Sequence, residues 1–331
     1  MSDLLFELVG PNYGLAESEI LARIEGLSFD FTKIQTDKGI LALKTDCPAE
    51  KFSQRLGLTH RLLYLIGITS DEDFFDLMEG YDLSEGNVAI RTRKIGGHEA
   101  ETDTKNIKEQ LGKIISEKNP IDLDSPEHEI FVLISKDLYV GKKVHERDKK
   151  ALRSREVKNR PYSSPISLKP KLTRALINLA RPGRGDRIHD PFCGTGGILI
   201  EGSKMGFEMS GGDKDEKMIE GCRENLEEFD VDASLKVGDV SETIPQNIDC
   251  ITTDPPYGRA SSTSKEDLSS IYERLFSSAQ QRLKKNGHLS VIFPENKYVE
   301  MGKKYLELIE KHKVRVHRSL DRYFCVFKKG E

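Results

Sequence analysis

The chain has 331 residues, 37% hydrophobic and 32% charged, which is long enough for two or three domains with their own cores. No apolar run reaches bilayer-spanning length, and the Met1-Ser2-Asp3 start does not read as a signal peptide. Cys47, Cys193, Cys222, Cys250 and Cys325 are scattered without a CxxC pair, so neither a disulfide framework nor a metal site is suggested, and a reducing, cytoplasmic setting fits.

In chain order, the first elements read strand (4–9), helix (16–25), strand (39–44). Pro48 opens a second short helix and 62–68 is another strand, so residues 1–68 read as a small α+β unit. In a second unit, 69–144, residues 88–93 alternate as a strand. The segment 103–117 is helical, with Ile107, Leu111, Ile114 and Ile115 on one face, and 129–135 with 138–140 reads as a hairpin. Residues 145–165, ending in Pro161 and Pro165, read as a linker. From 142 to 160 there are nine Lys or Arg against three acids, whereas residues 1–50 carry nine acids and four bases. Positive charge therefore concentrates mid-chain despite the net charge of −4, either to hold a phosphate backbone or as a solvated linker.

Residues 166–331 alternate regularly. Strands are expected at 186–189, 207–212, 233–237, 249–253 and 288–293, with helices from 198, at 216–229, at 266–283 and at 297–312. This rhythm predicts an α/β fold with a doubly wound, mostly parallel sheet. Residues 314–318 and 323–327, separated by a tight turn, predict an antiparallel hairpin that closes the sheet.

Two segments carry the chemistry. Asp190-Pro191-Phe192-Cys193-Gly194-Thr195-Gly196-Gly197 and Asp254-Pro255-Pro256-Tyr257-Gly258 should both follow the carboxyl ends of parallel strands, where open α/β sheets bind ligands. Gly194 and Gly196 let the backbone come close to a ligand, and a helix starting near Gly197 aims free N–H groups there. Leu199 breaks the dinucleotide pattern GxGxxG, and no GK[ST] follows for a phosphate loop. An acid at the strand tip, Asp190, suits the cationic amino acid moiety of S-adenosylmethionine better than a pyrophosphate. Asp213, after the next strand, is placed to accept from ribose hydroxyls, and Asp239, after the third, to meet the adenine amino group. Singly these acids read as caps or turn residues, as Asp215 does; on consecutive strands they trace a nucleoside.

The second segment points to the methyl acceptor. A base amino group is a poor nucleophile because its lone pair is delocalised into the ring. Acceptors at the Asp254 carboxylate and the Pro255 carbonyl would take both amino protons and localise that lone pair, and the prolines hold them rigid. Tyr257 offers a π-face for an exposed base. The polar run from Arg259 to Lys265 reads either as a plain loop or as a contact to the flipped nucleotide.

These two segments resemble those of the Rossmann-fold (class I) RNA and DNA amino-methyltransferases. Arg160-Pro161-Tyr162 and Pro165-Ile166-Ser167-Leu168-Lys169-Pro170, just ahead of the glycine-rich turn, are similar to one subgroup, the archaeal tRNA (guanine(10)-N2)-methyltransferases. The resemblance implies a ferredoxin-like domain over 1–68, a THUMP RNA-binding domain over 69–144, a basic linker over 145–165 and a methyltransferase domain over 166–331. It implies S-adenosylmethionine contacts from Ser167, Asp190, Pro191, Cys193, Gly194, Gly196, Asp213 and Asp239, and target-base contacts from Asp254, Pro255 and Tyr257. It further implies that the THUMP region and linker grip the tRNA acceptor end. Because the N-terminal unit is acidic, the grip should be confined to Arg91, Arg93, Lys94 and the 142–160 run. Alternatives are N2-methylation of another tRNA guanosine, mono- or dimethylation, and a DNA amino-methyltransferase. A non-catalytic RNA-binding module is the reading from a different class, opposed by the intact acids.

Overall fold

The computed structural model describes residues 1–10, 12–70, 73–96, 103–163, 167–257, 266–317 and 320–330, with the backbone alone at 316, 317 and 320. The chain divides into two compact units. One comprises Met1–Val9, Phe29–Ser53 and Thr59–Arg147; the other comprises Gly10–Ser28, Gln54–Leu58 and Asp148–Glu331.

The first unit is built on one seven-stranded sheet. Its strands are β1 (Ser2–Leu8), β2 (Phe31–Asp37), β3 (Ile40–Thr45), β4 (Thr59–Thr69), β5 (Val88–Lys94), β6 (His128–Ile134) and β7 (Leu138–Glu146), in the order β2-β3-β1-β4-β7-β6-β5. Strand β4 pairs antiparallel with β7, so strands from 1–68 and from 69–144 share a single sheet. The helix after β1, α1 (Tyr13–Gly26), belongs to the second unit. Strand β2 and helix α2 (Phe74–Glu79) were not expected from sequence, and the helix expected after Pro48 is one 3-10 turn, Ala49–Lys51. Helix α3 (Thr104–Ser116) begins where the Asp103 carboxylate accepts from the Lys105 and Asn106 N–H groups, and it buries Ile107, Leu111 and Ile115 as its periodicity requires.

The basic residues expected to grip RNA are largely paired within this unit. Arg93 Nε lies 2.8 Å from the buried Glu7, which also holds Arg61 at 2.5 Å. Glu129 pairs with Lys143, and with Arg91 at 3.5 Å. Neutralised in this way, those side chains offer less net charge to a phosphate than their count suggests.

In the second unit, α4 (Lys149–Ser154) and α5 (Pro170–Leu179) precede an alternating series. It runs β8 (Arg187–Asp190), α6 (Gly197–Lys204), β9 (Glu208–Asp213), α7 (Glu216–Glu228), β10 (Ser234–Val237), α8 (Val240–Thr243), β11 (Ile248–Thr253), α9 (Leu268–Arg282), β12 (Leu283–Phe293), α10 (Asn296–Gly302), β13 (Glu307–His317) and β14 (Leu320–Lys328). The strand order is β10-β9-β8-β11-β12-β14-β13, with the order reversing at β8 and β11; β14 alone runs against the rest, pairing antiparallel with both β12 and β13. Helices α5, α6 and α7 contact one another in series, as do α8, α9 and α10. Ile271, Leu275 and Phe276 of α9 pack with Leu289, Val291, Phe293 and Phe327 of the sheet, all nearly or wholly buried.

The helix expected at 297–312 is corrected: it ends at Gly302, and the chain re-enters the sheet at Glu307. Residues 307–313 are mostly charged or polar and carry weak helical periodicity. Antiparallel pairing with β14 decides their state, and an edge strand tolerates such side chains. The 145–165 segment is also more than a linker. Arg155 and Arg160 are buried, and Glu201 on α6 receives both Arg155 (Nε–Oε1 2.6 Å) and Arg174 of α5 (Nε–Oε2 2.6 Å). Lys149, Lys150, Arg153 and Lys158 remain exposed. Among the described residues no helix is long and apolar enough to cross a membrane.

Candidate active site

The loops after β8 and β11 meet at the point where strand order reverses, because these two strands are hydrogen-bonded neighbours with Ile251 opposite His189. Their tips are tied directly. The Thr253 hydroxyl, fully buried at the end of β11, donates to Asp190 Oδ1 at 2.6 Å, and the Phe192 N–H donates to the same oxygen at 3.1 Å. Ser167, Asp190, Cys193, Gly194 and Asp254 line one cleft together with Thr173, Thr195, Gly197 and Met218.

The glycine-rich turn is shaped by its own backbone. Gly194 (φ +49°) and Gly196 (φ +82°) are left-handed, a conformation that a Cβ disfavours. At Gly196 a Cβ would also lie 2.7 Å from Cys222 Sγ, whereas Gly194 faces open space. Close packing within the protein is thus one reason for the glycine at 196, beside the approach to a ligand expected from sequence. Gly196 precedes α6 with no side chain capping it, so the helix starts with free donors at the cleft. The Asn225 side-chain amide donates to the Thr195 carbonyl (2.9 Å) and the Tyr162 carbonyl (2.8 Å), stapling the Arg160-Pro161-Tyr162 segment to the turn.

Asp213 and Asp239 follow in strand order. Asp213 Oδ2 accepts from the Gly194 N–H at 3.0 Å, which links the second strand tip to the turn, and Gly238 N–H donates to the Asp213 carbonyl at 3.0 Å. Asp239 caps α8 by accepting from Ser241 N–H, and Arg274 forks onto it, Nε to Oδ1 at 3.1 Å and Nη2 to Oδ2 at 3.0 Å. Asp239 is thus both a helix cap and a carboxylate oriented by an arginine, while Asp215 caps α7. Pro191 and Pro255 are buried in the two turns.

Charge in the cleft is unbalanced. Burial pushes Asp190 up to about 7, with Asp213 and Asp254 adding to the rise and the Thr253 and Phe192 hydrogen bonds opposing it. Burial likewise raises Asp213, and it pushes Asp254 up to about 7 against the pull of Arg322. Asp239 differs: burial is outweighed by Ser241 and Arg274, which hold it below the usual carboxylate range. Three neighbouring carboxylates that ionise with difficulty suit a site built to receive a cation.

The Asp-Pro-Pro-Tyr turn is held from outside its own sequence. The Tyr272 hydroxyl on α9 donates to the Pro256 carbonyl at 2.7 Å. Arg322, at the start of β14, places its guanidinium 4.5 Å from the Tyr257 ring centroid and Nη1 3.9 Å from Asp254 Oδ2. One face of Tyr257 is therefore covered by Arg322, which narrows the expected stacking platform to the other. Asp254 Oδ1, Tyr257 Oη and Arg322 Nε are all buried without a hydrogen-bond partner among the described residues. Thr253, Asn225, Tyr272, Arg274 and Arg322 were not singled out from sequence. Thr253 adjoins the motif and was within reach of inspection; the others lie on distant elements. Gly258 and the Arg259–Lys265 run, with Pro165 and Ile166, lie outside the described residues.

A doubly wound sheet closed by an antiparallel hairpin, with acids on three successive strand tips and an Asp-Pro-Pro-Tyr turn on the fourth, defines a Rossmann-like methyltransferase. Residues 158–323 match the family described as RMKL-like, methyltransferase domain. The chain is 32% identical to a tRNA (guanine(10)-N2)-dimethyltransferase of Methanothermobacter thermautotrophicus, over 96% of each chain. It is 36% identical to the enzyme of the same name from Pyrococcus abyssi, over 82% of this chain and 84% of that one. Its fold is similar to that of TrmN from Thermus thermophilus, with a TM-score of 0.55 at 21% identity over 99% of both chains. The chain belongs to the tRNA (guanine(10)-N2)-dimethyltransferase family.

Proposed function

We propose that this protein transfers methyl groups from S-adenosylmethionine to the exocyclic N2 of a guanosine in tRNA, at position 10, and that it adds two. The observation that carries this reading is the Thr253–Asp190 hydrogen bond. It fixes the loop that would hold a cationic methyl donor against the loop whose Asp254 Oδ1 is a buried acceptor without a donor among the described residues. The names of the archaeal relatives support the substrate, the position and the count of two.

S-adenosylmethionine fits the donor set. Asp190 would take its ammonium group, Asp213 the ribose hydroxyls and Asp239 the adenine amino group. Ser167, Pro191, Cys193, Gly194 and Gly196 would form the wall against which it lies. When bound, it supplies an electrophilic methyl on a sulfonium. Asp254 and the Pro255 carbonyl accept the two amino protons and sharpen the nitrogen lone pair, and the base rests on the uncovered face of Tyr257. Proton abstraction before attack is not required, because the acceptors act by geometry.

The unit holding β1 to β7 is assigned to tRNA binding, with a ferredoxin-like part over 1–68 and a THUMP part over 69–144 that engages the acceptor end. Of the basic run, Lys149, Lys150, Arg153 and Lys158 are exposed and are assigned to the phosphate contact. A cytoplasmic enzyme is the corresponding reading. The test is incubation with labelled cofactor and unmodified tRNA transcripts, followed by mass-spectrometric mapping. Dimethylguanosine at position 10 is expected; label on DNA alone, or on another nucleotide, would overturn the assignment.

A further inference from the structure

We infer that Arg274 is a positioning residue for the adenine of the cofactor: it turns the Asp239 carboxylate so that Oδ2 accepts from the adenine amino group. This inference rests on the S-adenosylmethionine reading given above, in which Asp239 meets that group. A carboxylate at the N-cap of a helix already has a task, and capping alone does not aim it at a ligand. Both bonds from Ser241 to Asp239, the N–H at 3.0 Å and the hydroxyl at 2.7 Å, end on Oδ1. They leave Oδ2 free to swing about the last side-chain torsion, which is broad for an aspartate.

The arginine removes that freedom. Its Nε donates to Oδ1 at 3.1 Å and its Nη2 to Oδ2 at 3.0 Å, and two parallel bonds of this kind fix the carboxylate plane. The guanidinium is held in turn, with Nη1 2.6 Å from Glu266 Oε1 and donating to Ser270 Oγ at 3.1 Å. A carboxylate oxygen offers about two acceptor sites. Oδ1 has three donors, whereas Oδ2 has one among the described residues, so Oδ2 keeps a lone pair in a fixed direction. Side-chain exposure of 30% for Arg274 and 33% for Asp239 means that the pair adds little to stability, so its consequence is geometric. Charge separates this acid from its neighbours as well. Asp190 stands near the carboxylates of Asp213 and Asp254, which suits an ammonium group. Asp239 is offset by Arg274, which suits a neutral donor such as an aromatic amine.

Helix α9 explains why the arginine comes from so far along the chain. The four residues of α8 are too few to hold a helix by themselves, and α9 braces them from outside. Arg274 takes the cap, and Arg282, about two turns further along α9, donates to the Ser241 and Ile244 carbonyls. Ile271, Leu275 and Phe276 of the same helix are buried in the core, which fixes α9 against the sheet.

The test is calorimetric binding of S-adenosylhomocysteine and of its 6-deamino analogue. The analogue carries hydrogen in place of the amino group and keeps N1 as an acceptor, so the two ligands differ at a single position. Wild type should prefer S-adenosylhomocysteine by about 10- to 100-fold in Kd, the range for a hydrogen bond to a charged acceptor. Arg274→Met should weaken S-adenosylhomocysteine by about tenfold and the analogue by less than about threefold, so the preference shrinks. In an Asp239→Ala background the same change should move neither Kd by more than about threefold, because Arg274 acts through Asp239. An equal fall on both ligands would overturn the inference, since a general structural defect has that signature. Thermal unfolding reports whether the variant is folded, and Arg274→Gln serves if the methionine variant is not. Wild type that binds neither ligand would overturn the S-adenosylmethionine reading together with this inference. Binding without preference for the amino group, beside intact methyl transfer to tRNA, would overturn this inference alone.

Discussion

The Thr253 hydroxyl and the Asp190 carboxylate join the two chemical loops through one buried 2.6 Å hydrogen bond. A donor to an ionised acceptor favours the charged form, and such bonds contribute about 1.5–3 kcal/mol. Thr253→Val keeps the shape and removes the donor. Asp190 should then hold its proton to higher pH, and cofactor affinity at neutral pH should fall roughly tenfold or more. Titration calorimetry at several pH values measures this; unchanged affinity at pH 7 would show that the bond has no part in binding.

Asp254→Ala removes the carboxylate that accepts from the target amine. Cofactor affinity should stay within about threefold, because Asp190, Asp213 and the glycine-rich turn are untouched, while transfer should drop by about 10³-fold or more. Near wild-type turnover would remove Asp254 from the reaction.

Asp254 must be ionised to accept, and burial pushes it up to about 7. At sub-saturating cofactor, kcat/KM for tRNA should therefore rise with pH through about 7. Arg322 is the group that pulls this value down, so Arg322→Met should move the rise to higher pH. A rate independent of pH down to about 5 in both proteins would contradict the assignment.

Asp190, also pushed up to about 7, binds its proton more tightly folded than unfolded. Its stabilising contribution is full below the unfolded carboxylate range and is lost as pH rises through about 7. The cofactor-free protein should thus lose thermal stability between about pH 5 and pH 8. Asp190→Asn keeps the oxygen that accepts from Thr253 and Phe192 and removes the charge. It should flatten that fall, raise Tm at pH 8 by a few degrees, and abolish cofactor binding. A variant less stable than wild type at pH 8 would be the contrary result.

Glu201 is fully buried between Arg155 and Arg174. Removing it leaves two arginines facing each other without their counter-ion, so Glu201→Ala should cost about 3–5 kcal/mol. Replacing all three with apolar residues of similar volume should cost much less. Denaturant unfolding of the two variants separates these outcomes.

The alternation of strands and helices after residue 166, the doubly wound sheet and the closing hairpin were legible because strand and helix periods differ and glycine and proline mark the turns. The acids at 190, 213, 239 and 254 were legible for the same reason, since each follows a strand end. At 297–312 the local reading failed. Charged residues with weak periodicity carry no decisive preference, and β13 exists because β14 offers it a ladder of hydrogen bonds. Charge is likewise visible in a sequence while its pairing is not: Glu7 holds Arg93, Glu129 holds Lys143 and Glu201 holds Arg155.

By itself, the sequence determined which chemical groups stand at the strand tips, because a carboxylate's place after a strand is a local property of the chain. Only the tertiary structure decided which groups face one another: Thr253 on Asp190, Arg274 on Asp239, and Arg322 between Asp254 and Tyr257. Those pairings depend on strand order and register, which arise from long-range packing and leave no mark on neighbouring residues.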